Sequence, residues 1–254
     1  MTKHIHWLFV ALAALTTLLA SPVRADEAAI RRALAPRLGD ATIVSVQKLP
    51  QAELFEVAVR GADGAYTVLY ADAAGQYILV GNLIEAATDR NLTAERLGKL
   101  TAIDWSSLPL QSAITWKRGA GRRQIAILSD PNCPYCKRFE ADLAKVDDIV
   151  VHILPYAVVK AESVQQAKAV WCSPDRAQAW TDLMQKRIEP QAKTDCENPI
   201  DALIAFGRRV GATGTPTWFL ASGEKHVGAM PMDQLMPLLD AAARTKAAGG
   251  GAKK

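Results

Sequence analysis

Two cysteines separated by two residues carry the clearest chemistry in this sequence. Cys133 and Cys136 follow an apolar run at 125–128 and precede a segment with the apolar spacing of an amphipathic helix. The start of a helix has unpaired backbone N–H groups and a positive dipole end, which favour a thiolate over a thiol. The second cysteine lies one helical turn later and can close a disulfide with the first. The pattern predicts a redox pair that attacks, holds and releases other disulfides.

The alternative is that this pair forms an unreactive structural disulfide or supplies half of the ligands of a zinc site. Zinc usually takes four ligands, often two cysteine pairs or cysteines with histidines. The other cysteines, Cys172 and Cys196, lack the Cys-x-x-Cys spacing, and only His152 and His226 lie beyond the first few residues. We therefore favour redox chemistry and expect neither a metal nor a cofactor.

Residues 1–25 have the pattern of a secretory signal peptide. A short polar start is followed by an apolar stretch at 7–20 and by the small-residue site Val23-Arg24-Ala25. An uncleaved membrane anchor is the alternative, but a spanning helix needs about 20 apolar residues. We expect cleavage after Ala25 and export to the periplasm, an oxidising compartment in which structural disulfides persist.

The net charge and the amino-acid composition of the chain indicate which classes of partner molecule to expect. The formal net charge is +4, and removal of the signal peptide with Lys3 and Arg24 leaves +2. This is too little for a nucleic-acid-binding surface, so no nucleic-acid partner is expected. Half of the residues are apolar, and the length allows one or two domains with their own cores. The low-complexity tail at 246–254 is predicted to be flexible.

The first part of the mature chain, 26–88, predicts a small α+β domain. A helical period at 27–38 precedes four short β-rich runs, separated by turn signals that include Gly64 and Gly75. The runs lie at 43–46, 54–59, 66–70 and 77–80. A unit of this size buries little apolar surface alone, so we consider both a dimerisation domain and an accessory domain without a partner.

The remaining chain predicts a linker at 89–121 and an α/β domain at 122–245. The linker contains a helix at 92–100, with Thr93 as a possible N-cap, and a connector at 103–121. The order that follows is strand, redox helix, strand, several helices, a hairpin and a final helix, which is the order of a thioredoxin fold with a helical insertion. Pro237 falls in the final helix and either lies in its first turn or kinks it.

Gly214-Thr215-Pro216 is the second diagnostic motif. Read alone, Pro216 is a trans proline that opens an edge strand. Thioredoxin-like proteins, however, have a cis proline beside the Cys-x-x-Cys pair, and the residue before it offers backbone groups to an extended substrate. Because both motifs occur in one chain, we expect a cis bond at Pro216.

Together these motifs resemble the periplasmic disulfide isomerases of Gram-negative bacteria, the DsbC and DsbG family, over nearly the whole mature chain. The stretch 130–137 is most similar to the DsbG branch, whereas 169–175 with Cys196, and 214–216, are similar to the DsbC branch. The resemblance implies an N-terminal dimerisation domain, a linker helix and a catalytic thioredoxin domain. It also implies a V-shaped homodimer with the two redox sites facing an apolar cleft.

The resemblance also implies a role for each site residue. Cys133 would be the nucleophile and Cys136 the resolving cysteine, and Cys172 and Cys196 would form a structural disulfide. The residues implied in substrate binding are Pro134, Tyr135, Thr215 and Pro216. A second catalytic pair at Cys172 and Cys196 is the alternative, but these two lack the Cys-x-x-Cys spacing and a helix start for both sulfurs.

The function implied is isomerisation or reduction of wrong disulfides in exported proteins, with a membrane reductant of the DsbD type as electron source. The cysteine pair alone would equally serve an oxidase; the extra domain before the thioredoxin order favours an isomerase. Two alternatives stay open. One is a DsbG-like reductase that protects single cysteines from oxidation, and the other is a chaperone or assembly scaffold with secondary redox activity.

Overall fold

The computed structural model describes residues 22–50 and 52–249. Most of the predicted signal peptide and the end of the predicted tail therefore lie outside the described residues. The predicted cleavage point after Ala25 falls within the first helix, Pro22–Leu34. The chain divides into two compact units, one up to Val80 and one from Gly81 onward. Within the described residues, no helix has both the length and the apolar character needed to cross a membrane.

The first unit is a helix followed by a four-stranded antiparallel meander, as the sequence predicts. Helix α1 is followed by a short 3-10 turn, and the strands are paired in chain order. The elements are α1 (Pro22–Leu34), β1 (Thr42–Lys48), β2 (Phe55–Arg60), β3 (Tyr66–Ala71) and β4 (Ile78–Val80). The turns before β3 and β4 contain Gly64 and Gly75 at positive φ, a conformation that costs glycine little.

The core of this unit forms between α1 and one face of the sheet. Ile30 and Leu34, one helical turn apart, are almost fully buried against apolar side chains of β2 and β3. Those strand residues are Phe55, Val57, Val59, Leu69 and Ala71. The alternation along β2 and β3 thus places every second residue on the face that the helix covers.

The second unit contains the predicted thioredoxin-like domain with its helical insertion. Its helices are α2 (Leu92–Leu100), α3 (Pro134–Leu143), α4 (Ala161–Cys172), α5 (Arg176–Thr181), α6 (Ile200–Arg209) and α7 (Met232–Gly249). Its strands are β5 (Ile84–Glu85), β6 (Arg90–Asn91), β7 (Ile114–Arg118), β8 (Arg123–Ser129), β9 (Ile149–Pro155), β10 (Thr217–Leu220) and β11 (Lys225–Val227). A π-helical turn at Asp182–Lys186 extends α5.

Five of these strands form one mixed sheet in the order β11-β10-β8-β9-β7. The central strand β8 runs parallel to β9 and antiparallel to β10, and Ile125, Ile127 and Leu128 are completely buried. Apolar clusters cover both faces of the sheet, which explains why β8 is a continuous apolar run instead of an alternating one. The carboxyl end of β8 leads directly to the redox helix α3.

Three local expectations need correction, and one small sheet was missed. The segment interpreted as a connector contains β7, an edge strand that pairs antiparallel with β9, and the small ladder of β5 and β6 was not predicted. Asn91 caps α2 by accepting from the Ala94 N–H, whereas Thr93 accepts from the Leu83 N–H. Helix α7 continues to Gly249, so the predicted flexible tail is helical in its first residues, and Pro237 lies inside the helix.

Candidate active site

Cys133 is the N-cap residue of α3, and this position decides its chemistry. Its backbone is extended, and its sulfur accepts a hydrogen bond from the Cys136 N–H at 3.4 Å. Pro134 occupies the first turn, where a missing N–H costs nothing because that group has no helical partner. The Cys133 sulfur therefore occupies the place of the side-chain oxygen in an ordinary helix cap, where negative charge is favoured.

The pKa values of the two cysteines are shifted in opposite directions. A hydrogen bond from the Cys136 thiol lowers the pKa of Cys133 to about 5, while burial opposes this; the Thr215 side chain and the backbone N–H groups of Cys136 and Tyr135 lower it further. The same hydrogen bond and deeper burial raise the pKa of Cys136 far above its usual range. At pH 7, Cys133 is therefore mainly a thiolate, and Cys136 is a thiol.

This acidity predicts the pH dependence of alkylation at Cys133. The rate with iodoacetamide should rise through about pH 5 and stay flat above pH 7, whereas an ordinary cysteine reaches only half of its maximal rate at about pH 8.5. Ionisation of Cys133 also stabilises the reduced fold. This stabilisation is complete at pH values above the pKa of an ordinary thiol, and it is lost as the pH falls through the lowered pKa of Cys133. Rates are measured by quenched labelling and mass spectrometry.

The control for this prediction is the variant Cys136→Ala. Because the Cys136 thiol is the largest cause of the low pKa, its removal should move the alkylation midpoint of Cys133 upward. Cys136→Ser retains a hydroxyl donor and should move it less. A wild-type midpoint near pH 8.5 would contradict the geometry described above.

The predicted substrate-binding residues lie around Cys133 but differ in exposure. Pro134 and Tyr135 are exposed, with 64% of Tyr135 accessible. Thr215 is partly buried, and its carbonyl oxygen lies 3.3 Å from the Cys133 sulfur, a hydrogen bond that exists only while Cys133 is protonated. The Thr215–Pro216 bond is cis, and the Pro216 ring is buried. The two motifs, 80 residues apart in sequence, are thus brought into contact.

A groove of about 590 Å³ lies beside Tyr135. Its walls come from α3 and from the chain that leads into α7, and they include Met230 and Met232. Methionine is flexible and polarisable, so such a surface adapts to apolar side chains of different shapes. The groove was not predicted, because nothing in the local sequence at 229–233 indicates that it meets the redox helix.

Asp130 is a buried carboxyl group that organises the loop before Cys133, and the sequence analysis missed its role. It is completely buried and accepts four hydrogen bonds. One oxygen accepts from the Asn132 N–H and the Ser163 hydroxyl, and the other from the Val158 and Val159 N–H groups. One side chain thereby joins the end of β8, the segment after β9 and the start of α4.

Cys172 and Cys196 form a disulfide with Cα atoms 5.8 Å apart. It joins the end of α4 to the segment before α6, within the helical insertion, whereas Cys133 and Cys136 are free. Among the described residues, no group of three or more His, Cys, Asp or Glu side chains could hold a metal ion.

Comparisons with known proteins agree with this architecture. Residues 21–94 match the family of disulfide bond isomerase N-terminal domains, and residues 110–243 match a family of thioredoxin-like domains. A Bordetella pertussis protein named "Probable thiol:disulfide interchange protein DsbC" is 34% identical over 207 residues, 82% of this chain and 72% of that protein. The chain belongs to the DsbC family.

Two other proteins are also similar to this chain, one at lower sequence identity and one over a shorter part of the chain. The thiol:disulfide interchange protein DsbC of Escherichia coli is 26% identical over 225 residues, which are 85% of this chain and 89% of that protein. A disulfide interchange protein of known structure from Neisseria gonorrhoeae is 35% identical, covers 54% of this chain and 97% of its own, and has a TM-score of 0.49. The two family matches and the Bordetella pertussis relative confirm the DsbC and DsbG family resemblance and the thioredoxin-like fold expected from the sequence.

Proposed function

We propose that this protein is a disulfide isomerase that rearranges wrong disulfides in exported proteins through Cys133 and Cys136. The observation that carries the proposal is the acidic Cys133 sulfur at the start of α3, next to the exposed Tyr135 and the Thr215 backbone. Membership of the DsbC family supports the same activity.

In the proposed reaction, the Cys133 thiolate attacks one sulfur of a client disulfide. A bond forms between Cys133 and that sulfur, and the other client sulfur leaves as a thiolate. This thiolate can attack a different client disulfide, and a later attack on the mixed disulfide releases Cys133 unchanged, which is isomerisation. Alternatively, Cys136 attacks Cys133, so that the client is reduced and the enzyme pair is oxidised.

Client binding is the second part of the proposal. We assign Pro134, Tyr135 and the Thr215-Pro216 backbone to client contact near the sulfur, because they surround Cys133. The groove with Met230 and Met232 would accept apolar client side chains. Unfolded clients expose such side chains in no fixed arrangement, so an adaptable surface suits them better than a rigid pocket.

A paired assay tests the proposed function. Scrambled ribonuclease in a glutathione buffer should regain activity with catalytic amounts of this protein, whereas a protein carrying one sulfenic acid should be reduced more slowly. The reverse preference would favour the DsbG-like reductase. Suppression of client aggregation without any reactivation would favour the chaperone alternative.

The family match supports a homodimer, and we propose that β4 is the contact strand. β4 is an edge strand, and Tyr77, Leu79 and Val80 are 76%, 49% and 74% exposed. An exposed apolar edge offers both unpaired backbone groups and side chains to a second copy.

The proposed contact predicts the behaviour of single charged variants. Val80→Asp should convert the dimer to a monomer in light scattering, because a carboxylate would be buried against the second copy. Gln47→Asp, on the opposite edge strand, is the matched control and should leave the dimer intact. A dimer of unchanged stability in Val80→Asp would contradict the assignment of β4.

The cellular setting follows from the proposed chemistry. We propose export to the periplasm with cleavage after Ala25 and reduction by a membrane thiol reductant of the DsbD type, since an isomerase must keep Cys133 reduced. Alkylation trapping in intact cells should find Cys133 and Cys136 mostly as thiols. A mostly oxidised pair would favour an oxidase.

A further inference from the structure

Methionine is concentrated in one short segment of this chain. Beyond the first residue, the sequence contains four methionines, and three of them lie at 230–236. Met230 and Met232 line the groove beside Tyr135, and their side chains are partly exposed. Met184, in contrast, is only 2% exposed and belongs to the apolar core of the thioredoxin-like domain. The groove therefore contains thioether sulfurs that dissolved molecules can approach.

The groove is joined to the redox site on both of its sides. One wall belongs to α3 and begins at Tyr135, two residues after Cys133. The other wall is the segment 229–233, which follows Gly228, and the Gly228 N–H donates to the Pro216 carbonyl oxygen at 2.8 Å. A client residue close to the attacked disulfide can therefore contact the two methionine side chains.

A methionine sulfur accepts an oxygen atom from a peroxide without the help of a base. The sulfur lone pair attacks one peroxide oxygen and the O–O bond breaks, so that hydrogen peroxide is reduced to water while the sulfur is oxidised by two electrons. The product, methionine sulfoxide, is polar, and sulfoxide reductases return it to methionine. This oxidation is thus a reversible change from an apolar to a polar side chain.

A sulfoxide at either methionine would affect client binding more than the fold. The side chains are partly exposed, so in the free enzyme a sulfoxide oxygen can form hydrogen bonds with water. A client side chain that fills the groove would bury this oxygen against apolar groups, which costs free energy. The apolar groups of the wall, beside the two methionines, are Phe139, Ala229 and Pro231.

The contacts that make Cys133 reactive differ from those that form the groove. The Cys133 sulfur accepts from the Cys136 N–H, and its pKa is lowered chiefly by the Cys136 thiol, with a smaller contribution from Thr215. Neither Cys136 nor Thr215 lines the groove. Oxidation of Met230 and Met232 should therefore leave attack by Cys133 unchanged.

We propose that Met230 and Met232 are peroxide-sensitive sites whose conversion to sulfoxide weakens client binding and leaves the chemistry of Cys133 intact. The inference rests on the proposed role of the groove in client binding. During exposure to peroxide, the enzyme would hold fewer clients until a sulfoxide reductase supplied two electrons to each sulfoxide and restored the apolar surface.

The first measurement determines which methionines react. The protein is prepared with Cys133 and Cys136 joined as a disulfide, so that both thiols are protected, and is then exposed to hydrogen peroxide. Peptide mass spectrometry follows each methionine over time. Met230 and Met232 should form sulfoxide about tenfold faster than Met184, which the core shields from the oxidant. Equal rates at the three residues would contradict the proposed sites.

The second measurement separates client binding from chemistry. Oxidised and untreated samples both receive dithiothreitol, which restores the thiols but not the methionines, and the reagent is removed. The KM for scrambled ribonuclease should rise about fivefold while kcat stays within about twofold, because the lost interaction is one of binding. The alkylation rate of Cys133 with iodoacetamide, a reagent too small to need the groove, should stay within about twofold.

Substitutions test whether the effect belongs to the groove. Met230→Leu/Met232→Leu lacks both oxidisable sulfurs, so peroxide should leave its KM at its own untreated value. Met230→Gln/Met232→Gln has polar amides in place of the sulfoxides, and its KM should be raised before any peroxide is added. Met236→Leu, outside the groove, is the matched control and should keep the wild-type response to peroxide. Sulfoxide reductases specific for the two epimers should restore the KM of the oxidised wild type.

Three further results would overturn the proposal. One is an unchanged KM in wild-type protein that carries both sulfoxides; another is an equal rise of KM in Met230→Leu/Met232→Leu; the third is an alkylation rate that falls as far as client turnover does. If untreated protein failed to reactivate ribonuclease, the proposed function would fail, and this inference with it. Reactivation that is normal both before and after oxidation would remove only the oxidation sites.

Discussion

Scrambled ribonuclease should regain activity only at the uncatalysed rate when Cys133 is replaced by alanine. The lowered pKa makes Cys133 the sulfur of the pair that is ionised at neutral pH, so this variant lacks the proposed nucleophile. Cys136→Ala should retain part of the isomerase activity and accumulate mixed disulfides with the client, because attack is still possible but resolution is not. Non-reducing gels and recovered ribonuclease activity measure both effects.

A matched control removes two other sulfurs from the same chain. The double variant Cys172→Ser/Cys196→Ser deletes the disulfide of the helical insertion and leaves Cys133 and Cys136 in place. Opening this loop should cost about 3 kcal/mol in the chain-entropy model, so the assay is run well below the melting temperature. Full isomerase activity in Cys133→Ala would contradict the proposed function.

Asp130→Ala should lower the free energy of unfolding by about 3–5 kcal/mol. Four hydrogen-bond donors lose their acceptor together, and those in the interior cannot form hydrogen bonds with water unless the structure opens. Because the same carboxyl group holds the loop before Cys133, the variant should also react more slowly at Cys133. Urea denaturation of the reduced protein and the alkylation rate are the two measurements.

The control for Asp130 is Asp142→Ala on α3. Asp142 is partly exposed and pairs with Lys145, an interaction worth about 0–1 kcal/mol at a surface. A loss below about 1 kcal/mol in Asp130→Ala would show that its four hydrogen bonds are replaced easily by water. Asp130→Asn should be intermediate, because the amide nitrogen cannot accept from the N–H groups that one carboxyl oxygen serves.

The sequence allowed the main features of fold and site to be predicted, because these depend on local patterns. Alternation and turn residues indicated the meander, and a buried strand followed by Cys-x-x-Cys indicated where α3 begins. β7 was missed because its residues face solvent on one side and the strand ends at a glycine turn, so its short pattern resembled a loop.

The supporting carboxyl groups could not be predicted in the same way. Asp130 gains its role from partners about 30 residues later in the chain, which only the folded arrangement brings near. Glu140 gave a weak signal, since it lies four positions after Cys136 and three before Leu143 and so belongs to the buried face of α3. Its partner Trp180 comes from the helical insertion, whose packing no local pattern reveals.

If the proposed exchange holds, the burial of Cys136 determines how long a client stays attached to Cys133. In the proposed reaction, release by reduction requires attack by Cys136, a completely buried sulfur whose thiolate form is disfavoured by desolvation. Each attachment therefore gives the client's own thiols an interval in which to try other pairings. The number of trials per encounter is the ratio of the client's internal exchange rate to the release rate. Slow attack by Cys136 would thus favour clients that need several rearrangements before they are released.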